Sequence, residues 1–167
     1  MDNRHSSYLY RALSNPKAME KSVRFVCKSL RDQINNGLCV DAIVCRGISG
    51  AVIAAPVSLR LKTNLSVVRK TTTDSHCESD CLVEGIIKQK HNYVIVDDLI
   101  CSGQTVYDII QAMDNESQCM AYFQGIVLYG GKYSGQRSYM DREDLLEYAN
   151  ENDSYMTKEA FEDFDLL

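Results

Sequence analysis

The sequence predicts an α/β fold, a parallel sheet flanked by helices, on three observations. Short apolar runs of strand length alternate with longer stretches of helical periodicity up to about residue 130, the pattern of repeated βαβ units. One of those runs, Tyr93 to Val96, passes straight into two carboxylates and a small-residue loop that opens a helix. No internal repeat or low-complexity tract interrupts the order.

The first strong element is a helix from about Pro16 to Asn36. Asn15 can cap it, Pro16 suits its first turn and Gly37 can end it. Met19, Val23, Val26, Cys27, Leu30 and Ile34 step by threes and fours into one apolar stripe. Val40 to Cys45 reads as a buried strand that stops at Arg46-Gly47, and a second helical stretch runs from Ser49 to about Leu61. Leu65 to Val68 is the next strand. Lys70 to Asp80 has almost no apolar content and reads as a long exposed loop, a form that compact domains often use as a lid. Leu82 to Ile87 follows as a strand, Lys88 to Asn92 as a turn, and Tyr93 to Val96 as a buried strand. The helix from Gln104 to Met113 turns Val106, Ile109, Ile110 and Met113 inward. Met120 to Tyr129 supplies the last strand before Gly130-Gly131. The composition then becomes polar, Tyr-rich and acidic, so the expected division is a core over 1–130 and an acidic appendage over 131–167, with one or two short helices.

A chain of 167 residues with 45% hydrophobic and 25% charged side chains has the composition of one globular domain. It has no run of 18 or so apolar residues to span a bilayer, and its first residues lack the apolar stretch of a secretory signal. The seven cysteines are odd in number and no pair has CxxC spacing. Reduced thiols in a cytoplasmic protein, with no membrane partner, are therefore expected. Residues 141–167 hold ten acidic groups against Arg142 and Lys158, a net of −8; the total is −5, so residues 1–140 carry +3. That acidic end argues against a nucleic-acid partner, and the mildly basic remainder suits a small polyanion.

The chemistry concentrates in Val94 to Thr105, VIVDDLICSGQT. A buried strand ends in Asp97 and Asp98, and Cys101-Ser102-Gly103 leads into a helix. Backbone N–H groups of such a loop and of the helix start make a phosphate cradle. Gly103 permits close backbone approach, and the Ser102 and Thr105 hydroxyls add donors. The paired aspartates beside the cradle can accept from sugar hydroxyls or hold a hydrated Mg²⁺. Phosphate, diol and divalent metal together describe a phosphorylated ribose.

This stretch closely resembles the phosphoribosyl-pyrophosphate (PRPP) signature of the type I phosphoribosyltransferases: four apolar residues, two acids, two apolar residues, then a small-residue loop ending Gly-x-Thr. The resemblance spans roughly residues 40–130. It implies that Asp97 and Asp98 engage the ribose hydroxyls and a water-bridged Mg²⁺, and that Cys101, Ser102, Gly103, Gln104 and Thr105 hold the 5-phosphate. Upstream, Ile43 to Gly47 resembles the strand and turn that contact pyrophosphate, which assigns Arg46 and Gly47 to it. Val67 to Lys70 resembles the strand that leads into the catalytic loop, with Arg69 and Lys70 aimed at the same pyrophosphate and His76 touching it. The lid would be 70–81, and a small hood would come from one or both chain ends. The implied reaction joins Mg²⁺–PRPP to a nucleobase nitrogen in a homodimeric cytoplasmic enzyme.

The chain departs from the family pattern in places. Cys101 stands where the hypoxanthine/guanine branch keeps an aspartate. Thr73 stands where the orotate loop keeps a lysine, and His76 falls one residue late. A PRPP-sensing regulator without catalysis, and an enzyme that uses PRPP with no base acceptor, remain as alternatives. His76, Cys77 and Cys81 lack the fourth ligand of a zinc site. Gly125 to Lys132 misses the P-loop pattern and reads as a strand with its exit. Tyr129 and Tyr133 are candidates for stacking on a base, against the commoner role of partial core.

Overall fold

A computed structural model describes residues 7–70, 82–85, 88–117, 121–130 and 138–151. Helix α1 (Ser7–Leu13) precedes α2 (Pro16–Asn35), which starts and stops where the sequence signals fall. The Asn15 Oδ1 accepts the Ala18 N–H at 2.9 Å, satisfying one of the first-turn donors. Gly37, at φ +104, donates to the Ile34 carbonyl, and Leu38 donates to that of Gln33. These paired bonds close the helix as a Schellman motif, whose left-handed position favours glycine. Val23, Val26, Cys27 and Leu30 are buried as the stripe requires, while Ile34 in the last turn stays exposed.

The chain continues through β1 (Ala42–Arg46), α3 (Gly47–Leu61), β2 (Asn64–Val68), β3 (Val83–Gly85), β4 (Asn92–Asp97), α4 (Gln104–Ser117), β5 (Tyr122–Leu128), β6 (Tyr139–Met140) and α5 (Arg142–Glu151). The sheet has the order β3-β2-β1-β4-β5-β6. Its four central strands are parallel, as the alternation of strands and helices predicts. Both edges are antiparallel: β3 against β2 and β6 against β5. Apolar content marks a strand but not its direction, and antiparallel edges on a parallel sheet are common. Of the segment 131–167 expected as an appendage, residues 138–151 are described. They extend this sheet, and Met140 and Leu145 share its core.

Alternate strand residues feed two cores. Ala42, Val44, Ile95, Ile126 and Leu128 pack with Val106, Ile109, Ile110 and Met113 of α4. Ile43, Cys45, Val94, Val96 and Val127 pack on the other face with α2 and α3. Helix α3 can lie this close because of Gly50: a Cβ there would stand 2.8 Å from Cys45 Cβ and 2.9 Å from the Val96 carbonyl oxygen. Among the described residues no helix is long and apolar enough to cross a membrane.

Candidate functional site

The sheet changes direction of winding between β1 and β4. From β1 the chain proceeds outward to β2, and from β4 it proceeds the other way to β5. Such a switch point leaves a crevice beyond the carboxyl ends of the two strands, where open α/β sheets bind ligands. Here it is a cleft of about 590 Å³. Its walls are the Arg46–Ser49 turn, Lys70, the continuous run Asp97–Val106, and Leu9 from α1. Ten of the residues singled out in the sequence thus meet in one place: Arg46, Gly47, Lys70, Asp97, Asp98, Cys101, Ser102, Gly103, Gln104 and Thr105. Arg69 is not among the lining residues, and His76 lies outside the described residues, as do Cys77 and Cys81.

Asp97 closes β4 and is only 5% exposed. Its Oδ1 accepts the Asp98 N–H at 2.9 Å and the Ser49 hydroxyl at 3.4 Å. Burial, followed by the Asp98 charge, holds its carboxyl well above the usual carboxylate range despite those donors. The half-buried Asp98 accepts the Leu99 N–H on its own carboxylate at 3.0 Å. The chain leaving β5 clamps the pair from the other side: Tyr129 N–H donates to the Asp97 carbonyl and Gly130 N–H to that of Asp98. Tyr129 is therefore not a stacking face for a base. It is 5% exposed, and its hydroxyl donates to the Ser49 carbonyl at 2.9 Å, tying α3 to the acid pair. Tyr133 lies outside the described residues.

Gly103 sits at φ +82, so the loop turns sharply and α4 begins at the next residue. The Gln104 N–H points to the Ser102 Oγ at 3.4 Å, and Tyr107 N–H donates to the Gly103 carbonyl as the first turn closes. Cys101 and Ser102 are exposed at the loop tip. A helix N-terminus behind a glycine turn, with Thr105 in its first turn, has the donor set and dipole for a phosphate.

The basic groups divide. Gly47, at φ +67, lies beneath the Lys70 side chain so closely that a Cβ there would stand 2.6 Å from Lys70 Cε. Glycine is favoured at this turn for its left-handed backbone. Arg46 pairs with Asp108 of α4, and its Nη2 donates to the Lys70 carbonyl at 3.4 Å. Arg69 turns toward the edge of the sheet: its N–H donates to the Leu82 carbonyl, and its Nε faces Glu84 Oε1 at 3.5 Å.

Among the described residues no group of three or more His, Cys, Asp or Glu side chains is placed to hold a metal. Two adjacent carboxylates beside a phosphate cradle suit Mg²⁺, which binds through one or two carboxylates, substrate oxygens and water. Sequence reasoning missed Ser49, Asp108 and Leu9. Leu9 and Ser49 line the cleft and Asp108 pairs with Arg46, which lines it; only the folded chain brings these residues together.

No family model and no curated protein matches the sequence. Solved structures do match the fold. Adenine phosphoribosyltransferase from Thermoanaerobacter pseudethanolicus aligns at a TM-score of 0.53 and 23% identity over 74% of this chain and 77% of its own. UMP synthase from Leishmania donovani aligns at 0.57 and 19% identity over 95% of this chain and 35% of its own. Orotate phosphoribosyltransferase from Aeropyrum pernix aligns at 0.52 and 16% identity over 76% and 72%. The chain has the type I phosphoribosyltransferase fold.

Proposed function

We propose that the chain is a phosphoribosyltransferase that moves the 5-phosphoribosyl group of Mg²⁺–PRPP onto a nucleobase nitrogen and releases pyrophosphate. The observation that supports this most is the cleft at the strand switch point, where Asp97-Asp98 and the Gly103 turn share one lining with Gly47 and Lys70. The loop 101–105 holds the 5-phosphate with backbone N–H groups and the Ser102 and Thr105 hydroxyls. Asp97 and Asp98 orient the ribose through its hydroxyls and would hold a hydrated Mg²⁺. That ion would offset charge on the departing pyrophosphate, and Lys70 and Arg46 do the same from the protein side. The tasks of this chain are positioning, charge stabilisation and exclusion of water from a hydrolysable donor. Leu9 brings the N-terminal helix to the cleft, which supports a hood drawn at least in part from that end. A cytoplasmic homodimer is the assembly that goes with this reading.

A non-catalytic PRPP sensor is the second reading, favoured by the engagement of Arg69 with Glu84 instead of the cleft. Pyrophosphate release from PRPP and Mg²⁺, assayed against adenine, guanine, hypoxanthine, xanthine, uracil and orotate, separates the two. Turnover with one base supports the enzyme; binding of PRPP without turnover supports the sensor. Guanine and hypoxanthine are expected to react more slowly than at least one other base, because the Cys101 thiol replaces a carboxylate that would manage a purine proton. Guanine as the fastest substrate would overturn that expectation.

Thr105→Val keeps the side-chain size and deletes one donor to a charged phosphate. It is expected to weaken binding of a nucleoside 5′-monophosphate by about 1.5–3 kcal/mol in calorimetry. Equal affinities would remove Thr105 from the cradle.

A further inference from the structure

Among the arginines whose ion pairs are described, Arg46 makes the most buried pair. Its side chain is 17% exposed and that of its partner Asp108 26%, against 27% and 55% for Arg69–Glu84 and 73% and 37% for Arg24–Glu20. Asp108 is itself anchored, because the Gln104 side-chain amide donates to its Oδ1 at 2.7 Å. The second anchor is the Lys70 carbonyl. The Arg46 Nε is buried and has no hydrogen-bond partner among the described residues, so the outer nitrogens supply the fixed contacts. One guanidinium thus joins the end of β1, the second residue after β2, and the helix that opens from the phosphate loop.

We propose that Asp108 is a positioning residue: it fixes the Arg46 guanidinium at the pyrophosphate side of the cleft. The inference rests on the phosphoribosyl reading above. A carboxylate fixes the plane of a guanidinium as a neutral partner does not, because the charge-assisted bonds are short and directional. Without Asp108 a long side chain with many rotamers would have to be ordered by the ligand itself. Asp108 is in turn held by Gln104, one turn earlier on α4, so its carboxylate is fixed before any ligand arrives.

A double-mutant cycle tests this, read by calorimetry with Mg²⁺–PRPP and with ribose 5-phosphate, which lacks pyrophosphate. Asp108→Ala is expected to weaken PRPP binding about tenfold or more when Arg46 is present, and less than about twofold in an Arg46→Ala background. Binding of ribose 5-phosphate is expected to change less than about twofold in both, and Asp108→Glu is expected to recover part of the PRPP affinity. If Asp108→Ala fails to fold by circular dichroism, Asp108→Asn runs the same cycle with the shape kept. Equal losses in both backgrounds, or a parallel loss of ribose 5-phosphate binding, would make Asp108 a brace of the phosphate loop and overturn the proposal. Tighter PRPP binding by Asp108→Ala would also overturn it, since Asp108 would then compete for Arg46. A wild-type chain that binds neither ligand overturns the phosphoribosyl reading first, and this inference with it.

Discussion

Lys70→Ala is expected to lower turnover by about one to three orders of magnitude, about 1.4–4 kcal/mol of barrier, whereas Arg69→Ala is expected to lower it less than about threefold. The two cations are adjacent in sequence, and the family resemblance implies one task for both. The fold separates them. Arg69 spends its backbone N–H on Leu82 and faces Glu84, a largely exposed carboxylate, on the edge strand. An exposed pair of that kind contributes little. Lys70 lines the cleft and lies over Gly47, so its side chain stands against the turn assigned to pyrophosphate. A charge that acts on the leaving group strengthens in the transition state, so its loss lowers kcat together with kcat/KM, while nucleoside monophosphate binding changes little. Steady-state kinetics on both variants checks this. A Lys70→Ala effect confined to the KM for PRPP would mean uniform binding and would move the balance toward the sensor. A larger loss for Arg69→Ala than for Lys70→Ala would show that the edge pairing with Glu84 opens when ligand binds.

How far the sequence could be read depended on whether a feature was local in the chain. The helix α2 carries its own start and stop in Asn15 and Gly37, and both act as the signals imply. The phosphate loop was legible because Asp97 through Thr105 is one uninterrupted segment whose chemistry needs those residues in that order. Edge direction was not legible, since Val83 would be buried whichever way β3 ran. Nor was the bracing of the site. Ser49, Tyr129 and Asp108 come from three elements, and the sequence gives no spacing rule for contacts that depend on the strand order. Tyr129 shows the cost of reading a tyrosine at a strand end by type alone: its ring is core, and its hydroxyl holds the carbonyl of Ser49.

Asp97→Asn is expected to stabilise the free protein at mildly alkaline pH while removing at least about two orders of magnitude of Mg²⁺–PRPP affinity. The opposite signs have one cause. Burial raises the Asp97 carboxyl well above its unfolded value, and the neighbouring Asp98 charge adds to the shift. A group raised in this way contributes stability that is fully present below its unfolded pKa, near 4, and lost as pH rises through the folded value. Wild type therefore gives up stability from about pH 4, where the unfolded carboxyl ionises, up to the folded value of about 7, by about 1.4 kcal/mol for each unit of the shift. Asparagine keeps an acceptor for the Asp98 N–H and the Ser49 hydroxyl but never ionises, so the difference in Tm between variant and wild type should widen in that window. Asp114, which burial pushes up to about 6, titrates in both proteins and cancels in the difference. Ribose hydroxyls and a hydrated cation need the ionised carboxylate, and their binding offsets the strain that the free protein carries. Adding Mg²⁺–PRPP should raise the Tm of wild type and leave that of Asp97→Asn nearly unmoved. Thermal melts across pH, with and without the ligand, read both effects in one series. A Tm difference that stays flat with pH would show that Asp97 does not hold its proton in the folded chain, and undiminished PRPP binding by Asp97→Asn would remove the carboxylate from the ribose and metal site.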